Sequence, residues 1–131
     1  MPNVNRAYTH LRTPTGSYSS AIRNGGWLFI AGTTAGAGAD ASGVPQDLGQ
    51  QAEIVFQHIG RILEAEGGSY RNLTTVTVFL TEGGRDAYSI VNATRARVFG
   101  DARPASTMVV VRELARPEHK IEVNAIAIID G

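Results

Sequence analysis

"KIEVNAIAII", residues 120–129, alternates in a way that a half-solvated strand does not. Ile121, Val123, Ala125 and Ala127 fall on one face of an extended chain, and Ile126 and Ile128 on the other, so both faces are apolar. Two upstream segments repeat the pattern. "TTVTVFLT" (74–81) sets Val76, Val78 and Leu80 against a Phe79 flanked by threonines. "STMVVVREL" (106–114) sets Val109 and Val111 against Met108 and Val110, and reads as a fully buried strand. Two more strands, "SYSSAIRN" (17–24) and "WLFIAGTT" (27–34), flank Gly25-Gly26, a hairpin signal. The polar, proline-containing "ARPEH" (115–119) predicts a hairpin-like return between the last two strands.

Two helices separate these strands. Leu48, Ala52, Val55, Ile59 and Ile62 recur at steps of four and three, with Asp47 as N-cap and Gly67-Gly68 as stop, which predicts a helix over 48–66. A second, about 86–99, carries Tyr88, Val91, Arg95 and Val98 on one side, between Gly83-Gly84 and Gly100. The order is β-β-α-β-α-β-β over one domain, 1–131, with crossover helices joining neighbouring strands of a mixed sheet. Two helices cover only one face of such a sheet, yet both faces are apolar. The chain is therefore expected to oligomerise with its sheets packed together, the alternative being a monomer whose loops cover the second face.

Composition narrows the function. With 131 residues, 12 basic against 12 acidic, the formal net charge is zero, so no global field favours nucleic acid or anionic lipid. Zero cysteines exclude disulfides, thiolate nucleophiles and Cys-ligated metals. The first twelve residues lack the apolar stretch of a signal peptide, and no run approaches the roughly 20 apolar residues of a membrane span. A soluble cytoplasmic protein without a membrane partner is the expectation.

Familiar motifs are absent. "GTTAGAGADASG" (32–43) is followed by no GxxxxGK[ST] and opens no complete βαβ fingerprint; its glycines read as a mobile loop over a site. His10, His58 and His119 lack metal-ligand spacing and read as surface residues, and no GxSxG marks a serine nucleophile. Glu122 stands out. A carboxylate inside an apolar strand lies at an edge, pairs with an arginine such as Arg112, or is desolvated at a pocket wall, where carboxyls serve as general acids and bases. Ser106 and Thr107 are the other oddity, two hydroxyls where the chain enters an apolar strand; they either satisfy local backbone groups or face a site.

"GGWLFIAGTT", "VTVFL", "IVNATRARVFG", "RPAST" and "KIEVNAIAI", in this order over almost the whole chain, resemble the Rid family, also called YjgF, the reactive-intermediate deaminases. The resemblance implies a chorismate-mutase-like α+β domain. It also implies homotrimers in which three sheets form a central barrel with clefts between subunits. It implies cofactor-free hydrolysis of enamines and imines, such as 2-aminoacrylate, to ketoacids and ammonia. Tyr18 in "GSYSS", Asn92 in "VNAT" and Glu122 in "KIEV" match the family's cleft tyrosine, asparagine and glutamate.

Three positions depart from the family pattern. Ala31 replaces a serine before Gly32, Met108 replaces a frequent cysteine, and Ser106 replaces the arginine that clamps the substrate carboxylate. Arg103 precedes Pro104 with the opposite strand parity and makes a poor substitute. An arginine from elsewhere, such as Arg23 or one of a neighbouring subunit, is the other way to fill the gap. With one neutral donor in place of a guanidinium, a neutral metabolite suits the cleft better than a free amino-acid imine. Ser106 and Thr107 would bond its carbonyl while Glu122 orders water. A metabolite-binding or regulatory trimer without catalysis is the rival reading. An endoribonuclease is a weaker one, because RNA cleavage wants a basic track and stacking residues.

Overall fold

The computed structural model describes residues 2–39 and 43–130. Its regular elements are β1 (Val4–Arg6), β2 (Ala21–Asn24), β3 (Trp27–Thr33), α1 (Leu48–Ala65), β4 (Leu73–Leu80), α2 (Gly84–Phe99), β5 (Ala105–Val110) and β6 (Ile121–Ile128). They form the expected mixed α+β fold, a six-stranded sheet in the order β1-β2-β3-β6-β4-β5. Only β4 and β5 run parallel. Residues 40–42 of the glycine-rich loop lie outside the described residues; just before them, Ala35–Ala37 form a 3-10 turn.

Local chemistry explains both ends of α1. The Asp47 carboxylate accepts the Gln50 N–H at 2.9 Å, as an N-cap should. At the other end Gly67 turns left-handed (φ 86°), and the Gly68 and Gly67 N–H groups donate to the carbonyls of Leu63 (2.8 Å) and Glu64 (3.0 Å). Between them the predicted stripe, joined by Phe56 and Leu63, is buried. It packs on the face of the sheet formed by Leu28, Ile30, Val76, Val78, Ile121, Val123 and Ala125.

Two expectations about connectivity fail. The segment 115–119 makes no hairpin: β5 pairs with β4 alone, and β6 inserts between β3 and β4. The α1 crossover therefore joins strands that are not neighbours, whereas the α2 crossover does join neighbours. Buried Gln51 fastens the returning connection. Its amide donates to the carbonyls of Pro45 (2.8 Å) and Glu118 (3.0 Å) and accepts the Lys120 N–H (2.8 Å), pinning the connection to α1 just before β6 begins. In consequence β5 is not a buried strand but an exposed edge, with Val110 57% and Val109 37% accessible. An apolar run cannot by itself tell a central strand from an exposed edge strand.

The second face of the sheet is open, as the two-sided alternation requires. Trp27 and Phe29 stack there (centroids 6.0 Å, 11° between planes), both exposed, beside an exposed Ile128.

A short strand that no periodicity announced, β1, is tied down by charge. Glu66, at the end of α1, accepts from Arg6 Nε (2.7 Å) and the Tyr8 hydroxyl (2.8 Å) on one oxygen and from Arg23 Nη1 (3.3 Å) on the other. Burial alone would raise this carboxyl's pKa, but the bonds from Arg6 and Tyr8 outweigh it and hold the group below its ordinary value of 4.5. A carboxylate depressed in the folded state contributes stability above the unfolded value and loses it as pH falls through the folded one. Glu66→Gln should therefore cost about 2 kcal/mol at pH 7. The difference from wild type should shrink below pH 4.5, read as urea midpoints at fixed protein concentration.

Candidate functional site

The acid sits at a break in the sheet. Between Ile30 and Thr33 the register of β3 against β6 slips by one residue, a bulge that falls on Ala31 and Gly32. Glu122, on central β6, fills the space this leaves: a Cβ at Gly32 would fall on its Oε2 and 2.9 Å from its Cδ. A larger residue here would displace the carboxylate, so glycine leaves room for it, and its φ lies outside the left-handed region. Two readings of Glu122 are thereby removed. It is not at an edge, and among the described residues it forms no ion pair, with Arg112 or any other cation.

Tyr18, Ala31 and Gly32 line one cavity of about 200 Å³, together with Arg12, Arg116 and His119. Tyr18 stands at its rim, 63% exposed. His119 corrects the surface reading of the histidines. It is buried, its Nε2 has no hydrogen-bond partner among the described residues, and a Cβ on Gly36 would come within 2.7 Å of that nitrogen. Burial lowers its pKa, although Glu118 and Glu122 act the other way. His10 and His58 are half-buried as well, their rings 5.9 Å apart.

Asn92 and Ser106 line a different cavity, of about 190 Å³, with Arg95 and Arg103. Strand alternation explains the separation. Ser106 pairs with Val76 and shares its helix-covered face, as Met108 shares that of Val78; Glu122 pairs with Phe79 on the open face, two strands away. Thr107, opposite Thr77, points away from Ser106, so the two hydroxyls cannot bond one carbonyl within a single chain. The candidate residues thus fall into two separate groups: Tyr18, Ala31 and Gly32 line one cavity, with Glu122 against Gly32, and Asn92, Ser106 and Arg103 line the other.

The arginines sort themselves by partner. Arg103 spends Nη1 on the carbonyls of Gly100 and Ala102, and Arg23 is held by Glu66 and the Gly25 carbonyl. Arg95 was not foreseen. Its Nη1 donates to Ser106 Oγ at 2.7 Å and its Nη2 to Asn92 Oδ1 at 3.4 Å. The signal was present, since Asn92 and Arg95 are three residues apart on α2 and so share a face.

A six-stranded mixed sheet with both helices on one side, an open apolar face and polar side chains gathered in two pockets defines the fold class. Comparison with known proteins gives that class its family. The family model described as Endoribonuclease L-PSP matches residues 9–129. A RutC family protein of Pyrococcus horikoshii is 36% identical over 114 residues, covering 87% of this chain and 88% of its own. The RutC family protein YjgH of Escherichia coli is 30% identical, covering 82% and 81%. The crystal structure of RidA from the Antarctic bacterium Psychrobacter sp. superposes with a TM-score of 0.84 at 26% identity, covering 94% of this chain and 97% of that one. The chain belongs to the Rid/YjgF family, the L-PSP family of the matching model.

Proposed function

We propose that this chain is a cofactor-independent hydrolase that deaminates a small enamine or imine in a cleft between subunits. The observation that carries the reading is Glu122, a carboxylate on a central strand, without an ion-pair partner among the described residues and set against Gly32, which lines the cavity with Tyr18. Such a group can take a proton from water and return it to nitrogen. An enamine first tautomerises to the imine. Water then adds to the C=N carbon as Glu122 accepts its proton, and the carbinolamine nitrogen is protonated in turn. The C–N bond breaks, ammonia leaves and a carbonyl remains, so that C=NH plus water gives C=O plus ammonia.

The homotrimer enters for a physical reason. Each of the two groups of residues, open alone, is then a half-site, and sheet-to-sheet packing that covers Trp27, Phe29 and Ile128 would bring the Glu122 half of one copy toward the Ser106 half of another. Incubating the protein with 2-aminoacrylate generated in situ should release ammonia faster than the uncatalysed reaction. Absence of acceleration across a panel of small enamines and imines would overturn the hydrolase reading in favour of a binding trimer. No helix among the described residues is long and apolar enough to cross a membrane.

A further inference from the structure

The pocket at the end of α2 is lined by Asn92, Arg95, Arg103 and Ser106 among apolar neighbours, with no acidic residue among its lining groups. Arg95 is half-buried there and forms no ion pair among the described residues. Its two contacts are neutral oxygens, Ser106 Oγ and Asn92 Oδ1, which fix the plane of the guanidinium without neutralising it. Taking a cation partly out of water without a counter-charge is costly, and burial indeed lowers this group's pKa while the Tyr88 phenol acts against it. Two of its five N–H donors are committed and three remain. A partly desolvated, oriented guanidinium with spare donors is a receptor for a planar anion.

We propose that Arg95, clasped by Ser106 and Asn92, is the specificity-determining residue that binds the carboxylate of this protein's small-molecule substrate. The guanidinium arrives from helix α2 rather than from strand β5, and Ser106 is its positioning residue, not a direct donor to substrate. The preference for a neutral metabolite, which followed from serine at 106, loses its premise. The assignment rests on the cleft reading above, but only for where the rest of the substrate lies.

Binding and turnover separate the two claims. Pyruvate, titrated by calorimetry or ligand-observed NMR, should bind the wild type and lose roughly 10- to 100-fold in affinity in Arg95→Gln, the worth of a charge-assisted pair. Methyl pyruvate, uncharged, should be indifferent to the substitution. Ser106→Ala, which keeps the charge but frees the guanidinium, should lose several-fold, and Arg95→Lys should recover part of the Arg95→Gln loss. Matching far-UV circular dichroism and thermal midpoints exclude unfolding as the cause. Pyruvate binding that is unchanged in Arg95→Gln overturns the assignment. So does undetectable pyruvate binding by the wild type, or a loss confined to Arg116→Gln in the opposite half-site. Arg95-dependent pyruvate binding without imine turnover leaves the anion site standing and fails the hydrolase. Turnover of 2-aminoacrylate with kcat/KM equal in wild type and Arg95→Gln does the reverse.

Discussion

Glu122→Gln should lower kcat/KM for ammonia release from 2-aminoacrylate by 100- to 10,000-fold, the usual worth of a positioned proton carrier. Glutamine keeps the shape that Gly32 accommodates, so the β3 bulge, the thermal midpoint and the elution volume should stay at wild-type values. What is lost is the ability to take a proton from water and return it. Glu122→Asp tests placement rather than chemistry: withdrawing the carboxylate by one methylene should leave intermediate activity. Full activity in Glu122→Gln would remove the glutamate from the reaction. The imidazole in that half-site is His119, whose buried Nε2 has no hydrogen-bond partner among the described residues.

The second large effect concerns assembly. Phe29→Asp sets a charge at the middle of the open face, between Ile22 on β2 and Ile126 on β6 and stacked in wild type against Trp27. In an isolated chain this position is 40% exposed, and an aspartate there costs little. In a packed trimer it buries an unpaired carboxylate in each subunit, at about 3–5 kcal/mol apiece. Analytical ultracentrifugation should therefore find the wild type as a trimer and Phe29→Asp as a folded single chain. Catalysis should vanish with the assembly, although residue 29 adjoins neither half-site cavity. A wild type that sediments as a single chain at micromolar concentration, or an active single-chain Phe29→Asp, would defeat the intersubunit cleft.

The grounds for these two expected effects differ. Glu122 was legible from its own strand, because a carboxylate among alternating apolar residues is an anomaly that local sequence shows. The helices were legible too: Asp47, the 4-3 spacing and Gly67 each act within a few residues, and the structure realises all three. Alternation on "KIEVNAIAII" implied a second apolar face, and that face is there, uncovered. Wherever a feature depends on interactions a few residues apart, the sequence suffices.

Pairing does not depend on such distances. The chain alone could not say that β6 passes β5 and enters between β3 and β4, because its sheet partners and the Gln51 amide that holds its start lie tens of positions upstream. The same holds for β1, held by a carboxylate sixty residues away. The missing guanidinium is the clearest case. In sequence, serine at 106 reads as a lost cation, whereas in space α2 lays Arg95 against that serine's hydroxyl. Which charges meet is settled by the packing of a helix on a sheet edge, and a linear chain carries no direct record of that distance.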